Sequence, residues 1–345
     1  MRALTISAHG GFDRIELRDD LPVPELRGAT DVRIRVRAAA LNHLDLFVLG
    51  GLPGLSIVPP WVVLADACGV VDAVGAGVRA VSAGNLVVVN PGLSDRTCSF
   101  CLAGEHSLCP RYKLFGEHVP GMAAEFVVLP AANVRAIPAS TNVTQAAAFP
   151  LATLTAWRML HTRAQVKTGE RVLIWGIGGG VALAALQICK QVGAEVWVAS
   201  RDDDKLARAR ALGADHTLNS SRDDIPALIR AATGRAGVDV VVDNVGQATW
   251  DRSLKCLGKR GRLVTCGASS GPVVETDVRR LFWNQWSILG STMGNDAEFD
   301  AVVAELRSGR LPIPVDSVFP LERGREAFER LASGKQFGKI VVTIP

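Results

Sequence analysis

Residues 171–192 set the tightest limit on what this chain can become. A short β-type run, Arg171-Val-Leu-Ile-Trp175, breaks into Gly176-Ile-Gly178-Gly179-Gly180-Val181-Ala182, and a stretch with helical apolar spacing follows, Val181–Val192. The order reads as strand, tight turn, helix. Glycines at such a turn let the backbone approach a bound pyrophosphate, and the helix N-terminus offers unpaired N–H groups and the positive end of its dipole. Ala182 stands where a small residue permits close packing of helix on strand. The structural alternative is a sharp turn that holds no ligand.

The surroundings favour the binding turn. Further β-type runs at 195–199, 239–245, 262–267 and 287–289 alternate with helical stretches at 204–212, 223–232 and 249–256. Such alternation implies βαβ units and a doubly wound parallel sheet, expected over residues 153–292. The second run ends at Ser200-Arg201, with Lys205 one turn later. A carboxylate there would hold a ribose 2′-OH; a hydroxyl with two cations suits a 2′-phosphate instead. The expectation is NADP(H), with NAD(H) the alternative. The competing structural account pairs Arg201 and Lys205 with Asp202–Asp204 on a solvated face.

Residues 1–152 have another texture: short β-type runs (32–36, 69–74, 86–89, 125–129) punctuated by Gly and Pro. They suggest a barrel-like β domain. The tail, 293–345, resumes the β pattern in Lys339–Ile344 and is expected to return to that first domain. The fold class is therefore α/β: a β domain plus a doubly wound parallel-sheet domain. The net charge of +4 is spread without a basic block, which argues against nucleic acid as partner. No apolar stretch reaches membrane-span length. The N-terminus lacks the h-region of a signal peptide. A cytoplasmic location is expected, with the seven cysteines as reduced thiols or metal ligands.

Three of those cysteines fall in Asp95-x2-Cys98-x2-Cys101-x7-Cys109, a polar stretch after the run 86–89. Three thiolates and a carboxylate can close a tetrahedral zinc shell with no open position, hence a structural one. The alternative is a metal-free lobe of reduced thiols. His106 is a substitute ligand or a solvent-facing side chain.

Together with Gly69-Val70-Val71, Val74-Gly75 and the closing Phe337-Gly338-Lys339-Ile340-Val341-Val342, these motifs resemble the medium-chain dehydrogenase/reductase superfamily over nearly the whole chain. The resemblance implies a GroES-like substrate domain, a Rossmann domain, an active site in the cleft between them, and a homodimer or homotetramer. It implies that Thr155, Asn244, Val245, Gly267, Ala268, Leu289 and Gly290 line the nicotinamide half of the coenzyme groove, with Lys339 near it. Zinc alcohol dehydrogenases of this superfamily carry a catalytic zinc on Cys, His and Cys, with a Glu nearby. Those positions fall on Asn42, on Leu64-Ala65-Asp66 and near Leu151; none of the three ligands is present. Asn42-x2-Asp45 instead resembles the zinc-free quinone oxidoreductase and alkene reductase branch.

The expected function is thus NADP(H)-dependent hydride transfer to an activated alkene (enone or enal) or a quinone, without catalytic zinc. Asn42 would donate to the developing enolate oxygen, His43 or water would return the proton, and Asp45 would orient its neighbours. Asn42 and Asp45 can equally be turn and cap residues. Phe47, Leu52, Trp61, Phe282 and Trp283 suggest an apolar substrate pocket, core or subunit interface. Two other functions fit the same residues. One is an alcohol dehydrogenase or carbonyl reductase with an unorthodox metal on His43, Asp66 and Cys68. The other is a non-catalytic NADPH-binding sensor.

Overall fold

The computed structural model describes residues 1–345. They form two compact units, Met1–Leu151 with Asn295–Pro345, and Ala152–Gly294.

The first unit is built on the long strand Asp31–Ala40. Val32, Ile34 and Val36 face inward while Arg33, Arg35 and Arg37 face out, the period-2 pattern of a strand with one buried face. Around it lies a seven-stranded sheet in the order Val134–Ala136, Leu86–Val89, Asp66–Val74, Asp31–Ala40, Lys339–Thr343, Val315–Pro320, with Phe126–Pro130 also pairing with Asp31–Ala40. The inward residues pack with Val87, Val89, Leu129, Ile340 and Val342 in one core.

The C-terminal strand therefore belongs to this unit. Its register sets Val341 against Ala40, and the Leu41 N–H donates to the Ile340 carbonyl at 2.9 Å. One step further along, Lys339 comes beside Asn42. Gly338 makes this entry possible: its φ is +118°, and a Cβ there would lie 2.3 Å from the Pro314 carbonyl oxygen. Ala40 also pairs with Asp66 on its other side.

In the second unit we label β1 (Arg171–Trp175), α1 (Gly180–Val192), β2 (Glu195–Ser200), α2 (Asp203–Ala211), β3 (His216–Asn219), α3 (Ile225–Ala232), β4 (Val238–Val242), α4 (Trp250–Cys256), β5 (Leu257–Thr265), α5 (Val278–Asn284) and β6 (Ser287–Gly290). The six strands are parallel, in the order β3-β2-β1-β4-β5-β6. The chain starts at the middle of the sheet and winds outward twice.

Three features escape the sequence pattern. Strand β3, His-Thr-Leu-Asn, carries little of the apolar signal of a buried strand. Helix α5 exposes most of its apolar residues instead of burying a stripe. Residues 243–245 leave β4 earlier than their apolar neighbours suggest. The reason is Asp243: its buried carboxylate accepts from the N–H groups of Val245 (2.9 Å) and Gly246 (3.0 Å), and from the hydroxyls of Thr249 (2.8 Å) and Ser253 (2.6 Å). Those bonds turn the backbone out of the ladder. No helix is long and apolar enough to cross a membrane, and all seven cysteines are free.

Candidate functional site

The glycine turn follows β1. Gly176 and Gly178 have φ of +68° and +112°, a region that costs other residues about 1–2 kcal/mol. Gly179 is the N-cap of α1 and supplies no side-chain cap, so the first N–H groups of the helix, from Gly180 and Val181 onward, remain for an anionic ligand. Ala182 is fully buried.

Strand register brings the other expected coenzyme positions to the same edge. Trp175 pairs with Ala199, Ile174 with Val242, Val242 with Val264, and Thr265 with Gly290. Gly176, Ser200, Asn244, Val245, Gly267, Ala268, Leu289 and Gly290 thus lie at or just past the C-terminal ends of parallel strands, where such sheets bind ligands. A Cβ on Gly176 would sit 3.4 Å from Val245 Cγ2 and 3.6 Å from Asn244 Oδ1. That Asn244 oxygen is buried and accepts no hydrogen bond. A turn that needs glycine at two positive-φ positions, and an orphaned acceptor beside it, fit a nicotinamide dinucleotide. Thr155 is buried and donates to Met293 Sδ at 3.7 Å.

Beyond β2, Ser200 Oγ accepts from the Asp202 N–H at 3.1 Å. Two of the three acids at 202–204 have partners of their own. Asp202 caps α2 through the N–H groups of Asp204 and Lys205, and Asp203 pairs with Arg222 at 2.7 Å. Arg201 is exposed.

In the first unit, the motif positions of a catalytic metal converge on an ammonium. Lys339 Nζ donates to Asn42 Oδ1 in a short contact and to Asp66 Oδ2 at 3.1 Å. Asn42 Nδ2 donates to the same Asp66 oxygen at 2.9 Å. The other Asp66 oxygen accepts the Leu151 N–H at 2.8 Å. The amide orientation of Asn42 follows from chemistry: an ammonium demands its oxygen and a carboxylate demands its nitrogen. Both ends of the carboxamide are engaged, with one of the two Nδ2 hydrogens given to Asp66. Lys339 is buried in this network.

Asp45 is the N3 residue of the helix His43–Gly50, and its carboxylate accepts the Asn42 N–H at 2.7 Å. It is a cap that fixes the backbone of Asn42. Burial pushes its carboxyl up to about 7, against the pull of the Asn42 N–H and Lys339. His43 packs edge-on to Phe47, with ring centroids 5.0 Å apart. Partial desolvation lowers its pKa, so it is neutral at pH 7. Trp61 is a core residue, its indole N–H donating to the Gly116 carbonyl at 3.0 Å.

The residues of this network do not fit a catalytic zinc. Asn42, Ala65 and Leu151 stand at the ligand positions, and both oxygens of Asp66 are occupied. The unorthodox set fares no better. The metal-capable cluster the structure gathers lies elsewhere.

That cluster is the lobe. A two-stranded ladder, Gly92–Leu93 with Lys113–Leu114, closes its base. One ligand atom each from Asp95, Cys98, Cys101 and Cys109 lies within 4.8 Å of the others, against about 3.8 Å for the edge of a tetrahedral zinc–thiolate shell. The N–H groups of Asp95 and Arg111 each point at Cys109 Sγ at 3.4 Å. The N–H groups of Thr97 and Cys98, then Arg111, hold the Asp95 carboxyl well below the usual carboxylate range. Four protein ligands leave no open position, so this is a structural zinc site, in which the ion would cross-link the loop. His106 is neither a ligand nor turned to solvent; its Nδ1 accepts the Asp296 N–H at 3.4 Å.

Comparison with known proteins agrees with both units. The family described as "Zinc-binding dehydrogenase" matches residues 180–308, and "Alcohol dehydrogenase GroES-like domain" matches residues 28–139. A zinc-type alcohol dehydrogenase-like protein of Leptosphaeria maculans is 31% identical, covering 92% of this chain and 91% of its own length. Human quinone oxidoreductase is 26% identical, with 100% and 98% covered. A crystal structure described as an NAD-dependent alcohol dehydrogenase is 44% identical, covers 100% of both chains and superposes with a TM-score of 0.95. The coenzyme turn, the structural zinc lobe and these matches place the chain in the zinc-type alcohol dehydrogenase family of medium-chain dehydrogenase/reductases, as an NAD(P)-dependent oxidoreductase.

Proposed function

We propose that the chain interconverts a small apolar carbonyl compound and its alcohol, using NADP(H) as hydride carrier. Bound at the glycine turn, the nicotinamide supplies or takes the hydride. In the reductive direction hydride adds to the carbonyl carbon, the C=O electron pair moves to oxygen, and that oxygen takes a proton. Water supplies that proton, relayed through the exposed His43, whose neutral ring takes a proton from water at one nitrogen as it gives one from the other. The α1 N-terminus holds the pyrophosphate. Ser200, Arg201 and Lys205 hold the 2′-phosphate; the exposure of Arg201 just past the end of β2 supports this. The observation that carries the substrate class is the likeness, along the whole chain, to a structure described as an alcohol dehydrogenase. That structure's description says NAD-dependent, so the 2′-phosphate preference rests on residues 200–205 alone.

A second reading, conjugate reduction of an enone or a quinone, is favoured by the replaced ligands at Asn42, Ala65 and Leu151 and by the likeness to human quinone oxidoreductase. The names of the more similar relatives weigh toward the first reading. Incubation with NADPH and 2-cyclohexenone separates the two. Allylic alcohol is the expected product; saturated ketone selects the second reading, and neither product removes both.

Self-association is part of the proposal. Val278, Phe282 and Trp283 on α5 and Ile288 on the edge strand β6 are exposed, and an unpaired edge beside apolar side chains suits a second copy. A homodimer is expected by light scattering, and Trp283→Asp is expected to shift it toward monomer.

A further inference from the structure

Lys339 has a consequence for the metal content of the whole protein. We propose that Lys339 replaces a metal ion as the resident cation of the Asn42–Asp66–Leu151 site, so that the cysteine lobe carries the only zinc of each chain. The inference rests on the reading that Asn42 and its neighbours form the reaction site. It does not depend on which substrate is reduced.

Three observations carry it. First, Asn42 and Leu151, two positions that hold metal ligands in zinc alcohol dehydrogenases, meet at the Asp66 carboxylate, and the Lys339 ammonium bridges Asp66 to Asn42. Second, every acceptor oxygen of the site already has a donor. One Asp66 oxygen takes the Leu151 N–H, the other takes Asn42 Nδ2 and Lys339 Nζ, and the Asn42 oxygen faces the ammonium. Third, the ammonium is held in place: Lys339 is 3% exposed, its backbone lies in the strand Lys339–Thr343, and Gly338, at φ +118°, sets its entry. A divalent ion beside Asp66 would share a low-dielectric site with a positive charge, and like charges there repel strongly. A lysine suits the position: a compact cation with several donors, on a stem that packs against apolar neighbours.

The test is the zinc content of the full chain after incubation with excess Zn²⁺ and desalting, measured by plasma mass spectrometry. One zinc per chain is expected in the wild type and none in Cys98→Ser/Cys101→Ser. Two per chain, or one retained by the lobe variant, overturns the proposal. Because the lobe variant can fail to fold, calorimetric titration of Zn²⁺ into zinc-replete wild type is the companion measurement. No second binding event is expected, and a stoichiometric one overturns the proposal. Lys339→Met is expected to lower Tm, and Asp66→Asn in that background to recover most of the loss. A Lys339→Met protein with the wild-type Tm shows that the cation is dispensable and overturns it. None of these measurements uses turnover, so an error in the proposed substrate leaves them interpretable.

Discussion

The Nζ of Lys339 lies 3.1 Å from Oδ2 of Asp66, across 273 residues of sequence. The two side chains are only 3% and 0% exposed. Breaking a buried pair by removing one partner leaves an uncompensated charge and typically costs about 3–5 kcal/mol. Lys339→Met is therefore expected to lose stability on that scale in urea denaturation. Lys339→Met/Asp66→Asn is expected to be clearly more stable than the single variant. Additive effects of the two substitutions would mean that the pair is not coupled.

Asp45 gives stability a pH dependence. Its folded carboxyl, pushed up to about 7 by burial, lies above the unfolded value of about 3.9. The fold thus prefers the protonated form. The contribution of this group is most favourable below about pH 4 and is lost as pH rises toward 7, with a slope of up to about 1.4 kcal/mol per unit. Asp45→Asn keeps an oxygen for the Asn42 N–H and removes the titration. Unfolding free energies measured from pH 4.5 to 8 should fall less steeply in the variant than in the wild type. An unchanged slope would assign the titration to another group.

The Rossmann unit was largely legible because its signals are local. A β-type run, glycines and a helical period follow one another within 22 residues, from Arg171 to Val192. The lobe was legible for the same reason, since its four ligand residues span Asp95 to Cys109. Lys339 was not. It reads as the opening of a C-terminal strand, and only the antiparallel register on Asp31–Ala40 brings it to Asn42. Asp66 is legible as a motif position, but its role depends on that same pairing. The spacing Asn42-x2-Asp45 fits a cap as well as a catalytic pair. Strand β3 and helix α5 were missed because their side chains lack the periodic burial on which pattern reading depends.

Cys101→Ser breaks the lobe. Zinc content should fall from one per chain to well below one, because a metal holding four chain ligands depends on all of them. The loop then loses its cross-link, and limited trypsin digestion should cut faster at Arg96, Arg111 and Lys113. A variant with unchanged zinc would show that Cys101 is not a ligand.

Gly176→Ala places a Cβ where φ is +68° and Val245 Cγ2 is 3.4 Å away. The strain, about 1–2 kcal/mol, falls on the coenzyme turn. The KM for coenzyme should rise about tenfold, the equivalent of 1.4 kcal/mol, with the far-UV spectrum preserved. An unchanged KM would separate this turn from coenzyme binding.

Arg201→Ala tests the 2′-phosphate assignment. Loss of one charge-assisted contact should raise the KM for NADPH about tenfold while leaving that for NADH nearly unchanged. Equal effects on both coenzymes would return Arg201 to the solvated surface.

The most direct measurement is the fate of deuterium from [4-²H]NADPH prepared in both stereochemical forms, followed by NMR of the product from 2-cyclohexenone. One of the two forms, and only one, is expected to place deuterium on the carbinol carbon of the allylic alcohol. Product without deuterium from either form would contradict hydride transfer from the nicotinamide, and with it the account of this chain as a carbonyl oxidoreductase.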